Sequence, residues 1–227
     1  MKKAIFWDFD GTLVYSDHLW SGSLLRLITA EAPQKGIVLD EVREHMKTGF
    51  TWHTPFDDHS QLKGEKWWDN ILDRMKEICL LLGLDNVTAQ MVADRMRAEI
   101  TDIKNYHIYP DAVEMLLFAR EKGYKNYILS NNYPELESVM EKLGLADFFD
   151  GFTVSAVLGV DKPRKEIFEH ALKLSDYPEC CFMVGDNPYA DIEGANSVDI
   201  PSVLVHKDVK SNACYTFEFL SDMKTIL

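Results

Sequence analysis

The stretch that decides the fold is Lys3-Ala4-Ile5-Phe6-Trp7-Asp8-Phe9-Asp10-Gly11-Thr12. An apolar run with no turn residue in it reads as a strand buried on both faces, over residues 3–9. It runs directly into two carboxylates separated by one residue. Carboxylates that close repel each other and are costly to remove from water. Asp8 and Asp10 therefore need either solvent or a cation.

Working outward, strands alternate with helices after about residue 106. Pro110 introduces a helix over 111–122 that ends at Gly123, and residues 127–129 form a short buried strand. A helix near Pro134 turns Leu136, Val139, Met140 and Leu143 inward and stops at Gly144. A strand is expected over 152–157. A helix opened by Pro163 presents Ile167, Phe168, Ala171 and Leu172 on one face, and strands come next over 181–184 and 202–205. This alternation predicts an α/β fold: a Rossmann-like parallel sheet with helices on both faces, which the first strand joins.

Residues 16–104 break that pattern. Trp67, Trp68, Ile71, Leu72, Met75, Ile78, Cys79 and Leu82 form one stripe at helical spacing, closed by Gly83. That stripe favours a core place for the Trp67–Trp68 pair over the alternative that they line a substrate pocket. A second helix starts near Thr88 with Met91, Val92, Met96, Ile100 and Ile103 inward. Residues 47–64, with Gly49, Pro55 and Gly64, read as a loop. The expected organisation is an α/β core of residues 1–15 and 105–227, with an α-helical domain of residues 16–104 inserted after the first strand.

Composition narrows the functions. The 227-residue chain is 46% apolar, as expected of a folded globular protein. Its net charge of −13 argues against non-specific binding to nucleic acid or to an anionic membrane, which need clustered Lys and Arg. No apolar stretch is long enough for a transmembrane helix. The run after Lys2 and Lys3 is cut by Asp8, so no secretory signal is expected. Cys79, Cys180, Cys181 and Cys214 contain no C-x-x-C pair and read as reduced, mostly buried thiols of a cytoplasmic protein.

In open parallel sheets, ligands bind beyond the carboxyl ends of the strands. Those ends carry Asp8, Asp10 and Thr12; then Ser130 and Asn131; then Lys162; then Asp186, Asn187 and Asp191. Several carboxylates with one lysine and a few hydroxyls suit a hard, oxygen-seeking cation and phosphoryl oxygens. There is no Cys or His cluster for zinc or copper. Gly11 falls fourth from Asp8, not sixth as an EF-hand loop requires. No dinucleotide-binding, Walker or G-x-S-x-G motif is present.

D-x-D-G-T after a buried strand (Asp8–Thr12), Ser130, Lys162 and G-D-x-x-x-x-D (Gly185–Asp191), in this order, resemble the motifs of the haloacid dehalogenase (HAD) superfamily. The resemblance covers residues 3–15 and 106–206. The helical insertion is similar to the C1-type cap of subfamily I, and the phosphatase branch fits best. The resemblance implies a Mg²⁺-dependent hydrolase that removes phosphate from a small phosphorylated metabolite through an aspartyl-phosphate. Carried over by position, Asp8 is the nucleophile and Asp10 the general acid and base. Lys162 neutralises the phosphoryl group. Ser130 and Thr12 offer hydroxyls, and Gly11 and Asn131 offer backbone N–H groups. The metal falls to Asp8, the Asp10 carbonyl and Asp186, with Asp191 a ligand or the group that orients Lys162. In the cap, Arg43, Lys47, Trp52 and His53 are substrate candidates, Arg43 and Lys47 sharing one helix face for a second anionic group. A phosphomutase, a 2-haloacid dehalogenase and a non-catalytic phosphoester-binding module are the competing readings. The carboxylate at position 10 argues against the dehalogenase.

Overall fold

A computed structural model describes all residues, 1–227. Six parallel strands form one sheet: β1 (Lys3–Trp7), β4 (Tyr124–Ser130), β5 (Gly151–Val154), β6 (Cys180–Gly185), β7 (Ser202–Val205) and β8 (Tyr215–Phe217), in the order β5-β4-β1-β6-β7-β8. A two-residue antiparallel pair, β2 (Val14–Tyr15) with β3 (His107–Ile108), stands apart from it. β1 is central, with Trp7 opposite Ile128 on one side and Val184 on the other.

Both faces of the sheet are covered, which explains why β1 lacks polar alternation. Ala4, Phe6, Tyr127, Leu129 and Met183 pack under helix α8 (Lys165–Leu174) through Ile167, Phe168 and Ala171. Ile5, Trp7, Ile128 and Val184 face the other way, in one cluster with buried residues of α5 (Ala112–Glu121) and α6 (Leu136–Lys142). Asn126 is the polar exception inside β4. It accepts from Trp7 Nε1 at 3.0 Å and donates to the carbonyls of Leu116 (3.1 Å) and Phe148 (3.2 Å), so its burial is compensated.

Four α-helices lie between β2 and β3 in sequence: α1 (Leu19–Glu31), α2 (Leu39–His45), α3 (Glu65–Leu81) and α4 (Asn86–Ile100). α3 buries Trp67, Trp68, Ile71, Met75, Ile78 and Cys79 of the stripe read from the sequence, while Leu72 and Leu82, the latter just past the helix end, are only partly buried. α4 starts earlier than its apolar pattern suggests, because Asp85 caps it and accepts from the N–H groups of Val87 (2.9 Å) and Thr88 (3.0 Å). Met91 and Ile103 are exposed rather than inward: α4 turns Ala89, Val92, Ala93, Met96 and Ile100 to the core, and Ile103 lies beyond the helix end. The block is tied to the α/β part by Glu135. It accepts from Trp68 Nε1 (2.8 Å) and from Arg97 Nε (2.7 Å), while Trp68 stacks on Tyr133 with centroids 6.0 Å apart.

Other boundaries also differ. The chain leaves strand geometry at Val154 and turns into the short helix α7 (Ser155–Leu158), where residues 152–157 read as one strand. Gly159, at φ 73°, ends that helix, so local turn chemistry overrides the β-branched pattern. Leu143 lies past the end of α6 and is only partly buried, and Leu145 takes the core position. Residues 47–64 contain a 3₁₀ turn over Thr51–His53. Among the cysteines, Cys79 is buried but Cys214 is exposed, and all four are free.

Candidate active site

Strand adjacency builds the site. β4, β1 and β6 lie side by side, so the residues at their carboxyl ends meet at one edge: Ser130, Asp8 and Asp186. Asp8 prolongs the ladder, its N–H donating to the Val184 carbonyl at 2.9 Å. The chain then turns, with Leu13 and Val14 both donating to the Phe9 carbonyl (2.9 and 3.1 Å).

Gly11 makes that turn and the site compatible. Its φ is 80°, and a Cβ placed there would stand 2.4 Å from Asp186 Oδ2. Alanine is therefore disfavoured twice, by backbone region and by the carboxylate, which would have to shift. Gly11→Ala should lower stability by about 1–3 kcal/mol. Gly144→Ala, at a similar φ of 73° with open space around it, isolates the backbone part. Thermal unfolding of the two variants checks this, Gly11→Ala melting lower. Gly185 plays a related part, since a Cβ there would meet Asp191 Oδ2 at 2.1 Å.

Lys162 is the centre of the charge arrangement. It is buried, and Nζ donates to Asp8 Oδ1 (2.8 Å), Asp191 Oδ1 (2.6 Å) and the Leu129 carbonyl (2.8 Å). Burial works against its charge, but Asp191 and Asp8 outweigh it and hold its pKa above the ordinary lysine value. Its backbone is clamped by Asn131, whose side chain donates to the Lys162 carbonyl (3.0 Å) and accepts from the Lys162 N–H (2.7 Å).

The remaining carboxylates are strained by their surroundings. Asp10 is pushed up to about 7, mainly by burial and then by Asp8, against the hydrogen bond from Asn132 Nδ2 at 2.7 Å. Burial and Asp8 also raise Asp186, although Lys207 Nζ lies 2.7 Å from its Oδ2. Burial likewise raises Asp191, against the pull of Lys162 and the Asn187 N–H (3.0 Å). Four carboxylates thus face two ammonium groups.

The donor set fits a hard divalent cation. One oxygen each from Asp8, Asp186 and Asp191 can lie within 4.8 Å of one another, with no thiol or imidazole in the group. Such an ion would offset the excess negative charge that burial makes costly.

These groups floor a cavity of about 310 Å³. Asp8, Asp10, Lys162, Asp186 and Asp191 line it, with Ser130, Asn131, Asn132, Ser155, Asn187 and Ala190 around them. Ser130 Oγ is buried and has no protein partner, an unused donor at the cavity wall. Ser16, Leu19, Trp20, Trp52 and Trp67 complete the lining from the other side.

Several sequence expectations need correction. The Gly11 N–H is engaged by the Val14 carbonyl at 2.7 Å, so what Gly11 gives the site is room. Thr12 is fully buried outside the cavity lining, its carbonyl accepting from His206 Nε2 at 3.1 Å. The Asn131 side chain holds Lys162. Arg43 and Lys47 do not share a helix face, because α2 ends at His45. They line a separate groove and pair with Asp40 and Glu44. His53 packs on Phe50 and Trp52 outside the cavity. Trp52 does reach it, and so does Trp67, core residue though it is. Asn132, Trp20 and Lys207 join the site without having stood out in the sequence. Asn132 had a signal, standing directly after Ser130-Asn131; the other two are brought in by tertiary packing.

Residues 2–199 match the sequence profile of the haloacid dehalogenase-like hydrolases. The chain belongs to this family. Among curated proteins it is similar to a glyceraldehyde 3-phosphate phosphatase of Pyrococcus furiosus, 29% identical over 204 residues, or 88% of this chain and 79% of the relative. A phosphoserine phosphatase of Thermus thermophilus is 35% identical over 111 residues, 47% of this chain and 44% of that one. Among solved structures, a HAD phosphatase from Thermococcus onnurineus superposes with a TM-score of 0.66 at 24% identity, covering 100% of this chain and 97% of the other; at that identity it speaks for the fold. The haloacid dehalogenase-like hydrolase chain also contains no helix long and apolar enough to cross a membrane.

Proposed function

We propose that this hydrolase is a Mg²⁺-dependent phosphatase of small phosphorylated metabolites, working through an aspartyl-phosphate on Asp8. One observation carries the reading: Asp8 and an unpartnered Ser130 hydroxyl line one cavity, with Lys162 bound to the Asp8 carboxylate. A nucleophile, a cation and a phosphoryl-oxygen donor are what phosphoryl transfer asks of a protein.

In this reading an Asp8 carboxylate oxygen attacks phosphorus. Lys162, fixed by Asp191 and Asn131, offsets the charge on Asp8 and on the phosphoryl oxygens. Asp10, held by Asn132, protonates the departing oxygen and then removes a proton from the water that cleaves the acyl phosphate. Asp8, the Asp10 carbonyl, Asp186 and Asp191 would hold the Mg²⁺, which supplies charge neutralisation when bound. Both Asp191 oxygens already accept hydrogen bonds, from Lys162 and Asn187, which favours positioning Lys162 as its main task. Residues 16–104 act as the cap, their tryptophans limiting water at the reacting centre.

Phosphate release from a panel of phosphomonoesters, with Mg²⁺ and with EDTA, tests this. Release that EDTA abolishes is expected. No release from any ester by the folded protein would overturn the reading in favour of a mutase, a dehalogenase or a binding module. Ser130→Ala should lower the rate by about 10²- to 10³-fold. Because the hydroxyl has no protein partner, the variant should melt at the wild-type temperature. Rate and melting curve measured together separate this role from a structural one.

A further inference from the structure

The cavity wall that faces the carboxylates is aromatic. Trp20 lies 5.7 Å from Trp52 and 6.2 Å from Trp67 between ring centroids. Trp52 is itself backed by Phe50, stacked at 4.5 Å with 6° between the planes. Leu19 extends the surface. The helical block places no Lys, Arg or His on this lining. The one ammonium group there is Lys162, already engaged by Asp8, Asp191 and a carbonyl. Two cap cations, Arg43 and Lys47, line the adjoining groove, which shares Leu19, Trp20 and Trp52 with the cavity. The same side chains thus stand between those cations and the reacting centre.

We propose that this wall selects phosphomonoesters whose leaving group is uncharged and carries a ring with an apolar face, and rejects those bearing a second anionic group. The inference rests on the phosphatase reading. Indole faces bury ring surfaces well and tolerate the C–H face of a saturated ring. A second carboxylate entering here would lose water beside four carboxylates with no free cation to meet it. The neutral polar groups Ser16, Asn132 and Ser155 on the same lining suit hydroxyls rather than charges. At about 310 Å³ the cavity holds a phosphoryl group and one ring system.

The test compares benzyl phosphate with para-carboxybenzyl phosphate, a pair matched in leaving-group chemistry and differing by one carboxylate. With Mg²⁺ present, kcat/KM for benzyl phosphate should exceed that for its carboxylated partner by about a hundredfold. Trp20→Ala should raise KM for benzyl phosphate about tenfold with a smaller change in kcat. Trp52→Arg should narrow the gap between the two esters by placing a cation on the wall. Equal turnover of both esters, or preference for the carboxylated one, overturns the inference and leaves the phosphatase reading standing. If neither ester is hydrolysed, the wider phosphomonoester panel decides the phosphatase reading, and quenching of tryptophan fluorescence decides the wall's selectivity. Binding of benzyl phosphate alone supports the wall's selectivity, and binding of neither or of both overturns it.

Discussion

Asp8→Asn is expected to abolish turnover, lowering kcat by about 10⁴-fold or more. Asparagine keeps the shape and can still accept a hydrogen bond from Lys162, but it cannot form an acyl phosphate. Asp8 is also one of four carboxylates crowded at the strand ends, and it raises the pKa of Asp10, Asp186 and Asp191. Neutralising it relieves that repulsion. The variant should therefore fold and melt no lower than wild type within a few degrees, while Lys162 keeps Asp191 as its partner. Steady-state phosphate release and a thermal melt check both halves. A variant that is inactive because it is unfolded would not support the role.

Lys162→Met is expected to damage stability and activity together. Methionine nearly fills the lysine's volume but leaves Asp8 and Asp191 without the ammonium group they share at 2.8 and 2.6 Å. Removing one member of a buried charge cluster strands the others, at a cost of about 3–5 kcal/mol. For a chain of this length that is a fall in melting temperature on the order of 10 °C. Added Mg²⁺ should recover part of the stability, because a cation on the same carboxylates offsets the same charge. Recovery of activity is not expected, since the fixed charge beside Asp8 is gone. Melting curves with Mg²⁺ and with EDTA measure this. Equal melting of wild type and variant without the metal would show that the cluster does not depend on Lys162.

Legibility in the sequence depends on how local each feature is. β1 is legible because burial on both faces leaves no polar position, and the α3 stripe because one helix face sets its spacing. Asp8, Ser130 and Asp186 can be grouped in advance since parallel strands deliver their ends to one edge. Features that depend on neighbours distant in sequence are not legible. The spacing of Trp67 favours core over pocket wall, yet it serves as both, buried and on the cavity lining, and only tertiary packing shows that. The pairing of Lys207 with Asp186 joins two loops with no shared pattern. The hydrogen-bonding role expected of Gly11 is consumed by its own turn, and its function as room for Asp186 is visible only when the carboxylate is seen beside it. Periodicity turns Met91 and Ile103 inward, but the cap at Asp85 and the end of α4 at Ile100 decide which residues that helix buries.

In the proposed reaction phosphate passes through Asp8. Asp10→Asn removes the group proposed to protonate the leaving oxygen and then to activate water; with an aryl phosphate, whose phenolate departs without a proton, only the second step is blocked and the variant should be trapped after the first. The variant, mixed with Mg²⁺ and the aryl phosphate and then quenched in acid, should carry the mass of one phosphoryl group on the peptide that contains Asp8, lost on treatment with hydroxylamine. Phosphate released by the wild-type enzyme with no such adduct, or an adduct on any other residue, would contradict the account.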